Sequence, residues 1–420
     1  MRLHRSIVLD AIVFVVAAGT AIAQPAFHIA PKDALVDEPI AISVSGLRAN
    51  DEVTIRTRSL HWSSSATFVA DAQGVADLTR IAPKRADYAG IDAMGLFWSA
   101  TPGSAARATG PPVADAQMPA PEEWELTAEV NGVAVAEDKV LRRFVAPDVT
   151  MTVVRDNGLV GVFYQPAGGG RHPAVIVLSG SGGGVPPAST QAGGLASRGY
   201  AVLALGYFGV RGLPRSLHNI PLEYFGTALD WLRVQPSVDA GRIAVLGTSR
   251  GGELALLLGS AFPQIKTVIA IVPSDVIWGG CCDVRNESSW TIGGRPLVWA
   301  APGDAYRNER AAIQVERIHG AVLLISGKRD QVWHSTEMSE HVIDRLHRNN
   351  FAYAYEHLAY DDAGHGIGRP YTSTMEINRA VHPLTRRVIA LGGTPAGTAH
   401  ARDDSWRHIL AFLDDHLRGG

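Results

Sequence analysis

From about Phe27 to Val145 the apolar positions fall in short runs with a period near two. In Ile40-Ala41-Ile42-Ser43-Val44 and Val53-Thr54-Ile55-Arg56-Thr57, β-branched residues alternate with small or polar ones. Trp124-Glu125-Leu126-Thr127-Ala128-Glu129-Val130 alternates in the same way and runs into Asn131-Gly132, a strong two-residue hairpin signal. Short strands punctuated by Gly, Asp and Pro predict a β-sandwich. Thr101 to Pro121, rich in Pro, Ala and Gly, is expected to be a loop.

After about Val153 the pattern changes, and apolar runs alternate with helically spaced segments. Ala174–Leu178, Ala201–Leu205, Ile243–Leu246, Thr267–Val272, Ala321–Ile325 and Ala352–His357 are expected strands. The continuous apolar ones suit parallel strands buried on both faces. Leu222–Val234, Gly251–Gly259, Ser335–Leu346 and Ser405–Leu417 are expected helices. Such alternation predicts right-handed crossovers and a mostly parallel sheet, with ligands bound beyond the carboxyl ends of its strands.

The 420 residues suggest two folded units, and 46% hydrophobic against 19% charged residues allows each a sizeable core. A formal net charge of −3 offers no nucleic-acid surface and no polybasic membrane surface. Arg2 and Arg5 precede an apolar run from Ile7 to Ala23 that ends in Ala21-Ile22-Ala23, the pattern of a signal peptide cleaved before Gln24. An uncleaved anchor is the rival reading, although Asp10 interrupts a run already short for a membrane span. No later segment reads as transmembrane. Cys281 and Cys282 are adjacent; they make no disulfide framework or metal pair and are expected to be thiols.

The chemistry centres on Gly247-Thr248-Ser249-Arg250-Gly251, which follows a buried strand and opens an apolar helix. That is the context of the nucleophile elbow of an α/β-hydrolase. A serine held in so sharp a turn needs neighbours without side chains two positions away, and Gly247 and Gly251 meet the requirement. A hydroxyl needs a base, and the fold's chain order is Ser, acid, His. Asp330 follows the strand Ala321–Ile325 and is the expected acid. Asp344 lies in a helical run, and Asp361 and Asp362 suit solvated loop positions. His365 lies between Gly364 and Gly366 after the last strand and is the expected base. The other histidines lack either the order or the loop.

Two backbone donors are needed for an oxyanion hole. Arg250, following the nucleophile, is one source. The loop Ser179-Gly180-Ser181-Gly182-Gly183-Gly184 is the other, through Gly180 and Ser181. That loop lacks the Lys and Ser/Thr of a phosphate-binding loop. No metal or cofactor is expected. Val276 to Arg317, with Trp278, Trp290 and Trp299, is expected to cover the site and shape acyl selectivity.

Several blocks of the chain resemble the family of acyl-CoA thioesterases and bile acid-CoA:amino acid N-acyltransferases. They are Ala34–Pro39, Gly90–Ser99, Leu178–Gly183, Ile220–Phe225, Ser249–Glu253 and Gly392-Gly393-Thr394 leading to Trp406. The resemblance implies attack on an acyl thioester, with water or an amine as acceptor. The amino-acid-transferring members carry Cys as nucleophile, so Ser249 implies hydrolysis. Export is at odds with intracellular acyl-CoA and leaves another ester or thioester open as substrate. The resulting expectation is a signal peptide over 1–23, an immunoglobulin-like β-sandwich domain over 24–148 and an α/β-hydrolase catalytic domain over 149–420. The expected partner is a small-molecule acyl ester or thioester, not nucleic acid.

Overall fold

The computed structural model describes residues 24–103, 120–185, 191–281, 284, 286–301 and 308–419. The expected signal peptide, residues 1–23, lies outside them, as do residues 104–119 of the expected loop.

The front of the chain forms two sheets. A six-stranded sheet runs in the order Asp33–Leu35, Val133–Arg143, Glu122–Val130, Glu52–Arg58, Trp62–Val69, Thr101–Pro102. A three-stranded sheet contains Ala26–Ala30, Ala41–Ser45 and Ala76–Asp77. The alternation seen in the sequence is the alternation of faces: Ile42, Val44, Val53, Ile55, Trp124 and Leu126 all enter one core. The Asn131-Gly132 turn joins Val130 to its cross-strand partner Val133. Both turn residues have positive φ, 52° and 78°, as a tight right-twisted hairpin requires. Thr101–Pro102, expected in a loop, pairs instead with Trp62 and Ser63 as an edge strand.

The rest of the chain builds an eight-stranded sheet. Its order is Thr150–Val154, Val160–Gln165, Ala201–Gly206, His172–Leu178, Val238–Thr248, Ile265–Ile271, Ala321–Gly327, Tyr355–Tyr360. The first two pairings are antiparallel and the rest parallel. Apolar runs without alternation have a direct explanation. Ile176 and Val245 enter the core on one face, while Val175, Val177, Ala244 and Leu246 enter the core on the other. With helices packed on this sheet, the expected α/β-hydrolase architecture is present, preceded by the β-sandwich.

Two strands of the eight-stranded sheet and a helix beside it are not among the expected elements. Thr150–Val154 and Val160–Gln165 are short, and the second contains Gly161, where a β-carbon would lie 2.8 Å from Ala204 O. The helix Gln191–Ala196 carries two glycines, which disfavour helix locally. Packing overrides that preference: a β-carbon on Gly194 would meet Asp37 Oδ2 and Trp406 Cζ2, each at 2.8 Å.

The sandwich and the sheet are stitched together. Ser373 Oγ donates to Ala100 O at 2.6 Å, Thr374 N–H donates to Trp98 O at 2.9 Å, and Arg198 pairs with Asp37 at 2.7 Å. Val145 and Val149, in the connecting segment, are buried in the second core of the sheet. Among the described residues no helix is long and apolar enough to cross a membrane.

Candidate active site

The strand Val238–Thr248 leads through Ser249 into the helix Arg250–Ala261. Ser249 holds φ 59° and ψ −120°, a conformation an L-residue adopts only when its surroundings impose it. Its N–H donates to Ile271 O at 2.8 Å and its carbonyl accepts from Glu253 N at 3.0 Å. Neighbouring glycines make the turn possible. A β-carbon on Gly247 would lie 1.9 Å from Gly251 O, and one on Gly251 would lie 2.6 Å from Ser179 O.

His365 lies in the loop beyond the strand Tyr355–Tyr360 and is anchored by its own N–H to Leu391 O at 2.7 Å. Its Nε2 lies 2.8 Å from Ser249 Oγ and its Nδ1 lies 2.7 Å from Asp330 Oδ2. Asp330 is held on every side. Oδ1 accepts from the N–H groups of Val332 and Trp333 at 2.8 and 3.2 Å, and Oδ2 also accepts from Ser335 Oγ at 2.7 Å. Its side chain is only 1% exposed. A carboxylate is acceptor-only, and Asp330 already accepts from three donors besides the histidine. Nδ1 of His365 must then carry the proton, which leaves the Nε2 lone pair to accept from Ser249 Oγ–H. Ser249, Asp330 and His365, distant in the chain, thus form one directed hydrogen-bonded series.

The rejected acids lie elsewhere. Asp361 and Asp362 are exposed and pair with Lys328 and Arg329 at 2.6 and 2.8 Å, and Asp344 lies in the helix Ser335–Arg348.

Gly180 lies against Ser249, Ser181 follows it, and Arg250 is the next residue after the serine. The N–H groups of Gly180, Ser181 and Arg250 have no acceptor among the described residues. Arg250 N–H lies in the first turn of its helix, at the positive end of the helix dipole. Ser181 is fixed by His382, whose Nε2 lies 3.1 Å from Ser181 Oγ. Nδ1 of His382 accepts from Thr385 N–H at 3.2 Å, so Nε2 is the protonated nitrogen and donates to the serine. The sequence offered no signal for this contact, because Ser181 and His382 are brought together only by the fold.

The Arg250 side chain is taken up by the protein itself. Its guanidinium donates to Trp278 O at 3.2 Å, to Gly279 O at 3.1 Å and to Ser289 Oγ, and pairs with Glu253 at 2.8 Å. Glu253 in turn accepts from Trp290 Nε1 at 2.9 Å. Burial pushes the Glu253 carboxyl from its usual 4.5 up to about 7 and lowers the Arg250 guanidinium. This pair fastens the segment expected to cover the site.

The three tryptophans of that segment have different fates. Trp290 is fully buried beside Tyr207 and Phe225 and is a core residue, not a covering one. Trp299 packs against the same core. Of the three, Trp278 lies near the Ser249–His365–Asp330 series: it stacks on Trp333 at 6.2 Å, and Trp333 meets His365 edge-on at 5.6 Å. Trp333 was not singled out in the sequence, though it stands three residues after Asp330. Cys281, expected to be a thiol, is disulfide-bonded, and no free cysteine is present among the described residues. Among the described residues no group of three His, Cys, Asp or Glu is placed to ligate a metal.

The chain matches two family models: the acyl-CoA thioester hydrolase/BAAT N-terminal region over residues 37–156, and the BAAT/acyl-CoA thioester hydrolase C-terminal region over residues 220–292 and 301–419. Rat acyl-coenzyme A thioesterase 1 is 30% identical over 91% of this chain and 94% of its own length. The chain belongs to the acyl-CoA thioester hydrolase/BAAT family. Its relatives are not of one activity, for mouse acyl-coenzyme A amino acid N-acyltransferase 1 is 29% identical over 92% of this chain and 96% of its own. Among solved structures, a dienelactone hydrolase-like phosphotriesterase from metagenomic libraries aligns at TM-score 0.42 and 18% identity, covering 64% of this chain and 99% of that one.

Proposed function

We propose that this family member is a serine hydrolase of acyl thioesters that works through an acyl-enzyme. The observation that carries the reading is the directed series Ser249 Oγ–His365 Nε2 and His365 Nδ1–Asp330, at 2.8 and 2.7 Å. Ser249 Oγ attacks the acyl carbonyl as its proton passes to His365 Nε2. The carbonyl oxygen becomes an oxyanion received by the N–H of Arg250 and that of Gly180 or Ser181. The carbon–sulfur bond then breaks and the leaving thiolate takes the proton from His365. Water, giving its proton to the same nitrogen, attacks the acyl carbon; the bond from that carbon to Ser249 Oγ breaks, His365 returns the proton to Oγ, and the acid leaves. Asp330 holds the tautomer and stabilises the imidazolium without taking the proton.

Hydrolysis rather than transfer is favoured by the serine nucleophile. The N-terminal segment favours a second reading, an exported carboxylester hydrolase or an acyltransferase on a substrate other than acyl-CoA. The division into residues 1–23 as export signal, 24–148 as sandwich domain and 149–420 as catalytic domain belongs to the same proposal. An uncleaved N-terminal anchor is its alternative.

A panel of acyl-CoA thioesters and nitrophenyl esters on the purified mature protein, with S249A as control, tests the reading. The expected result is thioester turnover with higher kcat/KM than ester turnover, lost in S249A by at least about 10⁴-fold. Full activity in S249A overturns the nucleophile. Ester turnover without thioester turnover moves the assignment to the second reading.

A further inference from the structure

Between the sandwich and the eight-stranded sheet lies a cleft of about 1450 Å³. It reaches Ser179, Gly180 and Thr248, and so ends beside the nucleophile without including Ser249 in its wall. Trp62, Phe97 and Trp124 from the sandwich face Phe144 and Ile367 across it. Four arginines also line this largely apolar space: Arg58, Arg142, Arg369 and Arg402.

Arg58 is exposed to solvent, and Arg142 and Arg402 are committed to the protein. Arg142 donates from Nη1 to Glu38 O and from Nη2 to Val36 O, at 2.9 and 2.8 Å. Arg402 donates from Nε to Gly366 O at 2.8 Å and from Nη1 to Thr372 and Ser373. Arg369 is not. Its Nε and Nη1 are shut off from water and have no hydrogen-bond partner. Its guanidinium lies 4.9 Å from the centre of the Phe144 ring.

The charges that act on Arg369 do not complete it. Asp37 and Glu122 favour its cation, whereas Arg402 and Arg142 oppose it. Asp37 pairs through Oδ2 with Arg198 at 2.7 Å while its Oδ1 has no partner, Arg369 included, and Glu122 accepts from Ser59 Oγ at 2.6 Å. Burial lowers the guanidinium only to about 10, so it remains charged at neutral pH. A part-buried cation with unused donors is unfavourable until an anion meets it, and Nη2, the guanidinium nitrogen that is not shut off, is where an anion in the cleft arrives. Its planar fork matches a carboxylate or a phosphate.

We propose that Arg369 is a specificity-determining residue that receives an oxyanion group of the substrate, lodged in this cleft while the acyl carbonyl lies at Ser249. The group is either a carboxylate at the far end of the acyl chain or a phosphate on the leaving group. This rests on the reading of Ser249 as nucleophile.

Two substrate pairs test it in wild type, R369Q and R369K. The first pair is two nitrophenyl esters of equal chain length, one ending in methyl and one in carboxylate. The second is one acyl group carried on CoA or on the neutral thiol N-acetylcysteamine. The readout is the kcat/KM ratio, anionic over neutral, within each pair. R369Q is expected to lower one ratio by about 10- to 100-fold, the range of a hydrogen bond to a charged group, with partial recovery in R369K. A fall in the first ratio places the anion on the acyl chain, and a fall in the second places it on the leaving group. Equal losses within each pair, or no change in either ratio, overturn the proposal.

If R369Q does not fold, wild-type hydrolysis of the methyl-ended ester is read with adipate and adenosine 3′,5′-bisphosphate as inhibitors. Competitive inhibition by one supports the site, and inhibition by neither overturns it. If the protein cleaves no thioester, the thioester reading fails while the ester pair and the inhibitors still test Arg369.

Discussion

Gly180 lies against Ser249: a β-carbon built on the glycine would sit 3.1 Å from the serine Cβ and 3.6 Å from Oγ. It would also lie 3.0 Å from Thr248 O. These contacts are tight without being impossible, so a methyl group can be accommodated by a shift of a few tenths of an ångström. The atoms that must shift belong to Ser249 and to the segment proposed to receive the oxyanion. G180A is therefore expected to stay folded, with Tm close to wild type, and to lose about 10- to 100-fold in kcat. Steady-state kinetics beside a melting curve checks this. An unchanged kcat would remove the Gly180 segment from the oxyanion assignment.

Asp330 is held by four donors, and replacing it by Asn keeps the shape while changing what His365 can present. An amide offers N–H where the carboxylate offered only acceptors, so Nδ1 becomes an acceptor and Nε2 takes the proton. The base then faces Ser249 with the wrong nitrogen. D330N is expected to lower kcat by about 10⁴-fold with little change in Tm. A loss of less than tenfold at neutral pH would show that another group orients the imidazole.

Glu253 predicts a pH dependence of stability. Its carboxyl is raised by burial from 4.5 in the unfolded chain to about 7, so the fold favours its protonated form. That contribution to stability is fully present below the unfolded value and is lost as pH rises through the folded one. E253Q imitates the neutral carboxyl and should remove the dependence. Wild-type Tm minus E253Q Tm is expected to decline as pH is raised from about 4 to about 8. A flat difference would show that Arg250 cancels the effect of burial.

Trp278 stacks on Trp333, which packs against His365, and both indole N–H groups are already bonded, to Ser274 Oγ and Val272 O at 2.8 and 3.0 Å. These faces can offer apolar contact without leaving a buried donor unsatisfied. W278A is expected to change the ratio of kcat/KM between long and short acyl substrates by about tenfold. An unchanged chain-length preference would remove Trp278 from the acyl path.

Much of this arrangement was legible in the sequence because it rests on local rules. Val175, Ile176 and Val177 read as a two-faced strand because both faces are covered, and the Gly247–Gly251 motif reads as a tight turn because no side chain fits at its ends. Asp330 and His365 were found from chain order and from their places beyond strand ends. What escaped depends on contacts between distant segments. The helix Gln191–Ala196 opposes its own propensity and is kept by packing against Asp37 and Trp406. Trp290 looked like a covering residue and is a core residue, because Glu253 supplies a buried acceptor for its indole. Arg369 carried no local signal; its donors lack partners only because sandwich and sheet shut them in.

The segment from Phe144 to Val149 would pass for a hinge in the chain's linear order, yet Val145 and Val149 are set into the hydrophobic interior beneath the sheet. The front portion is therefore no removable cassette. A truncated protein beginning after residue 148 would expose Ala100- and Trp98-facing groups of Ser373 and Thr374 and strip one wall from the space around Arg369. Chimeras that exchange front portions between relatives will have to carry this buried strap and its matching surfaces along with the sandwich.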